Sequence, residues 1–326
     1  SHVVLSQLSD HEKFGGVVPE IAARKHGEVL TPLIERAMRD AQLSFDDIDA
    51  IAATAGPGLI GGVIVGLVTA KAIALSANKP LYAINHLEGH ALSPRLEEDI
   101  PFPYLLLLIS GGHCQLLKVE GYNRYSRLGT TIDDAAGEAF DKVAKLLGLG
   151  YPGGPRVEAS AKNGNAKAFL LPRPLKGEDN CHFSFSGLKS AVLRAANDAA
   201  DQNGVLSEQQ KADLAASFQF AITDCLEDRT RNALKQCSGI SALVVAGGVA
   251  ANTQIRTSLD HLAQDHNLAF IAPPLWLCTD NAAMIAWAGQ EAIAAGKAAN
   301  GLQTKAVARW PLDPDAPSVK GAGVKA

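Results

Sequence analysis

Three stretches built to one plan constrain this chain most. "IDAIAATAGPGLIGG" (48–62), "PYLLLLISGGHCQLLKV" (103–119) and "SALVVAGGVAANTQIRTSL" (241–259) each run an apolar strand into a glycine-containing turn. Unbroken apolar strands are those covered on both faces. Glycine leaves turn amides open because no Cβ shields them, and a following helix N-terminus adds partial positive charge. Between these units, "EVLTPLIERAMRDAQ" (28–42), "EAFDKVAKLLG" (138–148) and "KADLAASFQFAITDCLEDRTRNALKQC" (211–237) carry apolar residues at three-and-four spacing, the period of a half-buried helix. The alternation predicts an α/β protein with covered sheets and turns suited to phosphate groups.

At 326 residues and 47% hydrophobic, the chain is too long for one compact core, and two domains are expected. Its formal net charge of -4 gives no global field for a polyanion, so any nucleic-acid contact needs a local basic face. The five cysteines are scattered, without a CxxC pair, as in a cytosolic protein with reduced thiols. "PYLLLLIS" (103–110) is far short of the roughly 20 residues that a membrane helix needs. "LIGGVIVGLVTAKAIALS" (59–76) is glycine-rich and interrupted by Lys71, and reads as a buried helix against a sheet. The stretch 150–187 is irregular and rich in Pro, Gly and Lys, which marks a functional or mobile loop, and 311–326 reads as a flexible tail. No signal peptide is read. The opening "SHVVLSQLSDHEKFGGVVPE" has no Met and one strand-like stretch, as though an earlier part of the first sheet were absent.

"INHLEGH" (84–90) sets His86 and His90 four positions apart, on one face of a helix, while Glu88 lies about 200° round the axis. This differs from the HExxH of zinc proteases, where Glu follows the first His and acts as base. Two imidazoles need a third ligand, and "CTDNAAMIAWAG" (278–289) offers Asp280 at the start of another helix. Such a set leaves positions open for substrate, as in catalytic zinc or non-haem iron(II) sites. The alternative is that the histidines cap or line an interface and Asp280 is an N-cap.

"SGGH" (110–113) and "AGGVAAN" (246–252) suit either phosphate contact or plain turns. Asp133, Asp134, Glu138 and Asp141 either stabilise a first helical turn or include one that grips ribose hydroxyls. Lys162, Lys167, Arg173, Lys176, Lys189 and Arg194 form a solvated loop or a phosphate-tracking surface. No Ser/His/Asp order or activated Cys emerges, and Cys114 reads as a small buried residue.

Taken in order, "FGGVVPEIAARKH" (14–26), "AGPGLIGGVIVG" (55–66), "NHLEGH" (85–90), "LISGGHCQL" (108–116), "DDAAGEAFDKVAKLLGLGYPGGP" (133–155), "FSFSGLK" (183–189), "AGGVAAN" (246–252), "CTDNAAMIAWAG" (278–289) and "RWPL" (309–312) closely resemble the TsaD family. Its members are tRNA adenosine threonylcarbamoyltransferases, formerly described as O-sialoglycoprotein endopeptidases. The resemblance implies the actin-like ATPase (ASKHA) fold, two related α/β lobes with the active site in the cleft between them: an N-terminal lobe over 1–101, a C-terminal lobe over 102–310 whose last helix packs back on the first, and the tail. It implies that His86, His90 and Asp280 bind one divalent metal, Fe2+ with Zn2+ as substitute, held between the lobes. Leu108, Ile109, Ser110, Gly111, Gly112, Asp141, Gly154 and Asn252 match the family's substrate-binding positions.

The implied reaction moves the threonylcarbamoyl group from threonylcarbamoyl-adenylate to N6 of the adenosine 3′ to the anticodon, in tRNAs reading codons that begin with A. Implied partners are tRNA, a TsaB-like paralogue and a TsaE-like ATPase, in the cytoplasm and without a membrane. Members normally begin with a strand carrying an Asp/Ser-rich turn that faces phosphates, and nothing like it precedes Ser1. Competing expectations are a small-molecule kinase or ATPase of the actin-like clan, to which the histidine pair is foreign, and a metalloprotease, which the displaced Glu88 disfavours.

Overall fold

The structure, a computed structural model, describes residues 1–7 and 17–319. Residues 8–16, which hold the start of the "FGGVV" motif, and 320–326 of the expected tail lie outside the described residues, while the opening residues 1–7 form no strand. Two compact units emerge. The first groups Ser1–Asp99, Tyr122–Arg124 and Asp280–Pro314; the second groups Ile100–Gly121, Tyr125–Thr279 and Asp315–Ala326.

In the first unit, α1 (Pro19–Ala41) starts on a proline, whose missing N–H has no partner to lose in a first turn, and ends at Gln42 in the left-handed region. Strand β1 (Ile51–Gly56) pairs in parallel with β2 (Leu81–Asn85), from Ile51 opposite Leu81 to Thr54 opposite Ile84. Helix α2 (Ile60–Ser76) makes the crossover. It was expected to be buried, but among its residues only Leu67, Ala70 and Ala74 are; Ile60, Ile64, Val68 and Leu75 are exposed. Among the described residues its sheet has two strands, β1 and β2, which cover one helix face. Helix α3 (His86–Leu92) follows β2 without a loop.

The second unit is built on five strands in the order β5-β4-β3-β6-β7: β3 (Tyr104–Ile109), β4 (Cys114–Gly121), β5 (Arg124–Thr130), β6 (Ala242–Ala246) and β7 (Ala269–Ile271). Central β3 pairs antiparallel with β4 and parallel with β6, and every residue of its "YLLLLI" is buried, which is why the run does not alternate. Around the sheet lie α4 (Ala136–Leu146), α5 (Gly153–Ala161), α6 (Ser186–Ala199), α7 (Glu208–Gln236), α8 (Thr253–Asp265) and the single turn α9 (Leu275–Cys278). Leu105, Leu107 and Ile109 share one core with Val143 of α4 and Leu214 of α7, and Phe140 and Phe218 meet edge to face at 5.2 Å between centroids.

Helix α10 (Ala282–Ala294), the last of the chain's described helices, packs on α3, β1 and β2, and 280–314 groups with the first unit. Part of the expected loop 150–187 is helical, as α5. The remainder is irregular but anchored to α7: the Asn165 amide donates to Asp213 at 2.7 Å, and Arg173 donates to Asp224 at 3.0 Å. Nor is the expected tail loose where it is described. Leu312 is buried in the first unit, and Arg127 donates to the Pro317 carbonyl in the second.

Candidate functional site

Helix α3 starts where it does because Asn85, at the end of the wholly buried β2, caps it. Its side-chain oxygen accepts the Leu87 amide at 2.9 Å, and its Nδ2 donates to the Trp310 carbonyl at 3.0 Å. Helical spacing then brings the His86 and His90 rings together at 4.8 Å between centroids, nearly perpendicular. Asp280 Oδ1 lies 3.1 Å from His90 Nε2 and 3.5 Å from His86 Nε2. Asp280 is not the N-cap of α10: that role belongs to Asn281, whose side chain accepts the Met284 amide at 2.8 Å. A Cβ on Gly89 would come within 2.8 Å of Ile285 Cδ1, so glycine lets α3 approach α10 closely.

The donor set fits one divalent cation. Its donor atoms all lie within 4.8 Å of one another. Two ligand atoms about 2.1 Å from an ion and about 90–109° apart lie roughly 3.0–3.4 Å from each other, close to both His–Asp separations here. Burial holds His86 below the ordinary imidazole value, partly offset by the Asp280 carboxylate, and this favours the neutral form that ligates metals. His90 Nδ1 is buried without a hydrogen-bond partner among the described residues, so this ring is not there to build a protein-only network. The Asp280 side chain is 77% exposed, which leaves room for further ligands. Asp280 falls in the same compact unit as both histidines.

In the second unit, β3 delivers a tight turn. The Ser110 amide donates to the His113 carbonyl at 2.8 Å, and the His113 amide donates to Ser110 Oγ at 3.1 Å. Leu108 and Ile109 are core residues of β3, so their part is to carry Ser110–Gly112. Gly111 and Gly112 face open space. Two further glycines set this turn: Gly247, from the glycine pair of "AGGVAAN", and Gly137, which no local pattern marked. A Cβ on Gly137 would come within 2.8 Å of Gly111 Cα and the Ser110 oxygen, and one on Gly247, whose φ is +94°, within 2.5 Å of the Ile109 oxygen. Both lay inside quoted motifs, but nothing local says what they approach.

Gly137→Ala therefore opposes two effects. Helix propensity favours Ala by about 1 kcal/mol, and displacing backbone by several tenths of an ångström costs about 1–3 kcal/mol. The clash is with backbone, so a net loss of up to about 2 kcal/mol is expected in urea unfolding, with a drop in activity larger than this stability loss explains.

The four clustered acids divide. Asp133 accepts from Ser184 Oγ and from the Phe185 and Ser186 amides, where α6 begins. Asp134 and Glu138 share Lys142. Asp141 Oδ1 accepts the Gly153 amide at 2.7 Å, and burial raises its pKa, with that amide offsetting part. The adjoining Gly154 sits in the first turn of α5, facing open space. Asn252 caps α8 through Ile255 at 3.1 Å and donates to Gln219 at 2.8 Å, which leaves one amide hydrogen to offer. Of the basic residues between 160 and 195, Arg173 and Lys176 both pair with Asp224. Cys114 is buried, and burial pushes its thiol well up.

The family model described as TsaD: tRNA N6-adenosine threonylcarbamoyltransferase matches residues 1–287. Relatives that carry the same description include one from Sphingopyxis alaskensis, 63% identical over 100% of this chain and 92% of its own, and one from Novosphingobium aromaticivorans, 62% identical over 99% and 90%. Among solved structures, HypF from T. kodakarensis superposes with a TM-score of 0.62 at 17% identity, covering 82% of this chain and 44% of that one. Full-length HypF in its phosphate- and nucleotide-bound form gives 0.57 at 14%, over 81% and 41%. At such identities the likeness is one of fold, and it agrees with the expected actin-like α/β class.

Proposed function

This chain belongs to the TsaD family of tRNA N6-adenosine threonylcarbamoyltransferases, and on that premise we propose that it moves the threonylcarbamoyl group of threonylcarbamoyl-adenylate to N6 of the adenosine 3′ to the anticodon, in tRNAs reading codons that begin with A, releasing AMP. The observation that carries this is the convergence of His86, His90 and Asp280 donor atoms in one unit of a chain whose other unit carries an open glycine turn.

The carbamoyl carbon of the donor is joined to phosphate in a mixed anhydride, so the leaving group is good and no protein nucleophile is required. The cysteines agree: burial raises all five thiols, Cys225 to about 12. What remains for the chain is positioning and charge stabilisation. His86, His90 and Asp280 would hold one divalent ion, Fe2+ with Zn2+ as substitute, which when bound supplies Lewis acidity toward the anhydride oxygens. The amides of Gly111 and Gly112 donate to the phosphate of departing AMP. Asp141 keeps its Oδ1 on Gly153 and accepts a ribose hydroxyl at Oδ2, with the Gly154 amide beside it. Asn252 donates its remaining amide hydrogen to the substrate.

We place the work in the cytoplasm, with a TsaB-like paralogue and a TsaE-like ATPase contributing a composite surface for tRNA. No helix among the described residues is long and apolar enough to cross a membrane. Lys162 and Lys167 are our candidates for this chain's share of the phosphate contacts. Reversing both charges should weaken tRNA binding and reduce the slope of log K against log salt by roughly 1–2, read from titrations at several salt concentrations. An unchanged slope removes them from the interface. The protease reading loses its base, because Glu88 is buried and accepts the Asn123 amide at 2.9 Å.

The deciding assay incubates the chain and its partners with threonylcarbamoyl-adenylate, ATP and unmodified tRNA. Nucleoside mass spectrometry should then find threonylcarbamoyladenosine, dependent on this chain. tRNA left unmodified despite the supplied adenylate would defeat the proposal.

A further inference from the structure

Glu88 is a buried carboxylate that the proposed chemistry leaves unused. On a helix it faces away from both imidazoles, and its carboxylate is engaged elsewhere: the Asn123 amide donates to Oε1 at 2.9 Å, and the Tyr122 hydroxyl also donates to this carboxylate. Tyr122 oxygen in turn accepts from Lys297 Nζ at 2.8 Å, and the ammonium lies 5.2 Å from the centre of the ring. Donors therefore point one way, from ammonium to hydroxyl to carboxylate, and the buried charge at Glu88 is matched by a cation one residue removed. Burial, with the neighbouring Glu88, raises the Tyr122 pKa, so the hydroxyl stays a donor.

Lys297 is itself fixed. Helix α10 ends in a reversed turn in which Gly296, at φ +75°, donates to the Ile293 carbonyl and the Lys297 amide donates to that of Ala292, both at 2.9 Å. The other end of the same helix begins just after Asp280. We propose that Glu88, Tyr122 and Lys297 are positioning residues that fix the rotation of α3 against α10, and thereby set how tightly His86, His90 and Asp280 hold a divalent cation. This rests on the reading of those three residues as metal ligands.

Geometry makes the clasp consequential. Helix α3 has seven residues, too few to hold a conformation unaided. A donor atom about 6 Å from a helix axis moves roughly 1 Å when the helix turns by about 10°, while ligand distances tolerate about ±0.2 Å. A pull on the side opposite the imidazoles is therefore a control on the coordination sphere.

The test uses the full chain with Co2+, whose visible absorption reports its ligands, in equilibrium titrations and spectra. Variants are Tyr122→Phe, Glu88→Gln and Lys297→Met, beside His90→Ala and, as a destabilised control in the other unit, Asp133→Asn. The expected result is Co2+ affinity lowered roughly 10–100-fold in Tyr122→Phe and Glu88→Gln, with an altered spectrum. Asp133→Asn should bind as wild type and His90→Ala not at all. If the clasp variants bind with wild-type affinity and spectrum while His90→Ala fails, the clasp is overturned and the metal reading stands. Equal weakening in Asp133→Asn also overturns the clasp, as general destabilisation. If the unmodified chain binds no Co2+, the metal reading falls and the clasp with it.

Discussion

His86→Ala is expected to leave the chain folded while removing divalent-metal binding and threonylcarbamoyl transfer together. The choice between the two histidines follows from burial. The His86 side chain is 22% exposed, whereas that of His90 is 1% exposed, so truncating His90 opens a cavity and confounds stability with chemistry. Truncating His86 is expected to cost about 1 kcal/mol of stability, in the ordinary range for a partly buried side chain. Loss of one ligand in three is far larger. If about 10 kcal/mol of binding free energy were shared evenly, one ligand accounts for roughly 3 kcal/mol, or about two orders of magnitude in affinity. Transfer should fall at least as far, because an ion that is absent cannot polarise the anhydride. Metal content after dialysis, thermal unfolding and kcat/KM read the three quantities separately. Full transfer by metal-free His86→Ala protein would remove the metal from the mechanism.

The legible part of this site was whatever chain-local rules control. The period of four between His86 and His90 follows from helix geometry, and the apolar "YLLLLI" announces a strand covered on both faces. Asp280 was legible through resemblance. Its place beside both histidines depends on α10 packing on α3, β1 and β2 far from it in sequence, which resemblance and not local pattern implied. The acids of 133–141 show the same limit. As first-turn acids they look alike, yet Asp133 bonds to groups 51 to 53 residues away and Asp141 to an amide 12 residues on. Glu88 looked displaced from a catalytic position. Its actual partners, Tyr122 and Asn123, lie in a turn between two strands of another sheet, a proximity no local pattern encodes.

Arg229→Ala should be the most destabilising single substitution considered for the second unit, at about 2–4 kcal/mol, because it empties a buried site and removes the cation from a partly exposed carboxylate. Arg229 is 1% exposed on α7. Its Nε and Nη2 donate to Asp228 Oδ2, and its Nη1 donates to the Asn180 carbonyl at 2.8 Å. Asn232, one turn along the same helix face, donates to the Glu178 carbonyl at 2.7 Å, and Gln236 contacts Cys181 Sγ at 3.3 Å. The segment 178–183 is thus held on α7 from one side. On the other, the Phe183 amide donates to the Thr130 carbonyl at 3.1 Å, and a Cβ on Gly129 of β5 would overlap the Cys181 carbonyl. Removing the guanidinium leaves Asp228 without its cation and a void where the stem lay, and the segment has no room to collapse into it. Arg229→Met separates these costs: its chain refills the void, and the Asn180 carbonyl keeps the Asn232 donor at 3.1 Å, so the smaller loss that remains reports the charge alone. Because a chain of two units need not unfold in one step, the loss should appear as an earlier transition of the second unit in urea, while metal binding by the first persists until its own transition. An unfolding free energy of the second unit in Arg229→Ala within about 1 kcal/mol of that in the unmodified chain would mean that this arginine does not hold the segment in place.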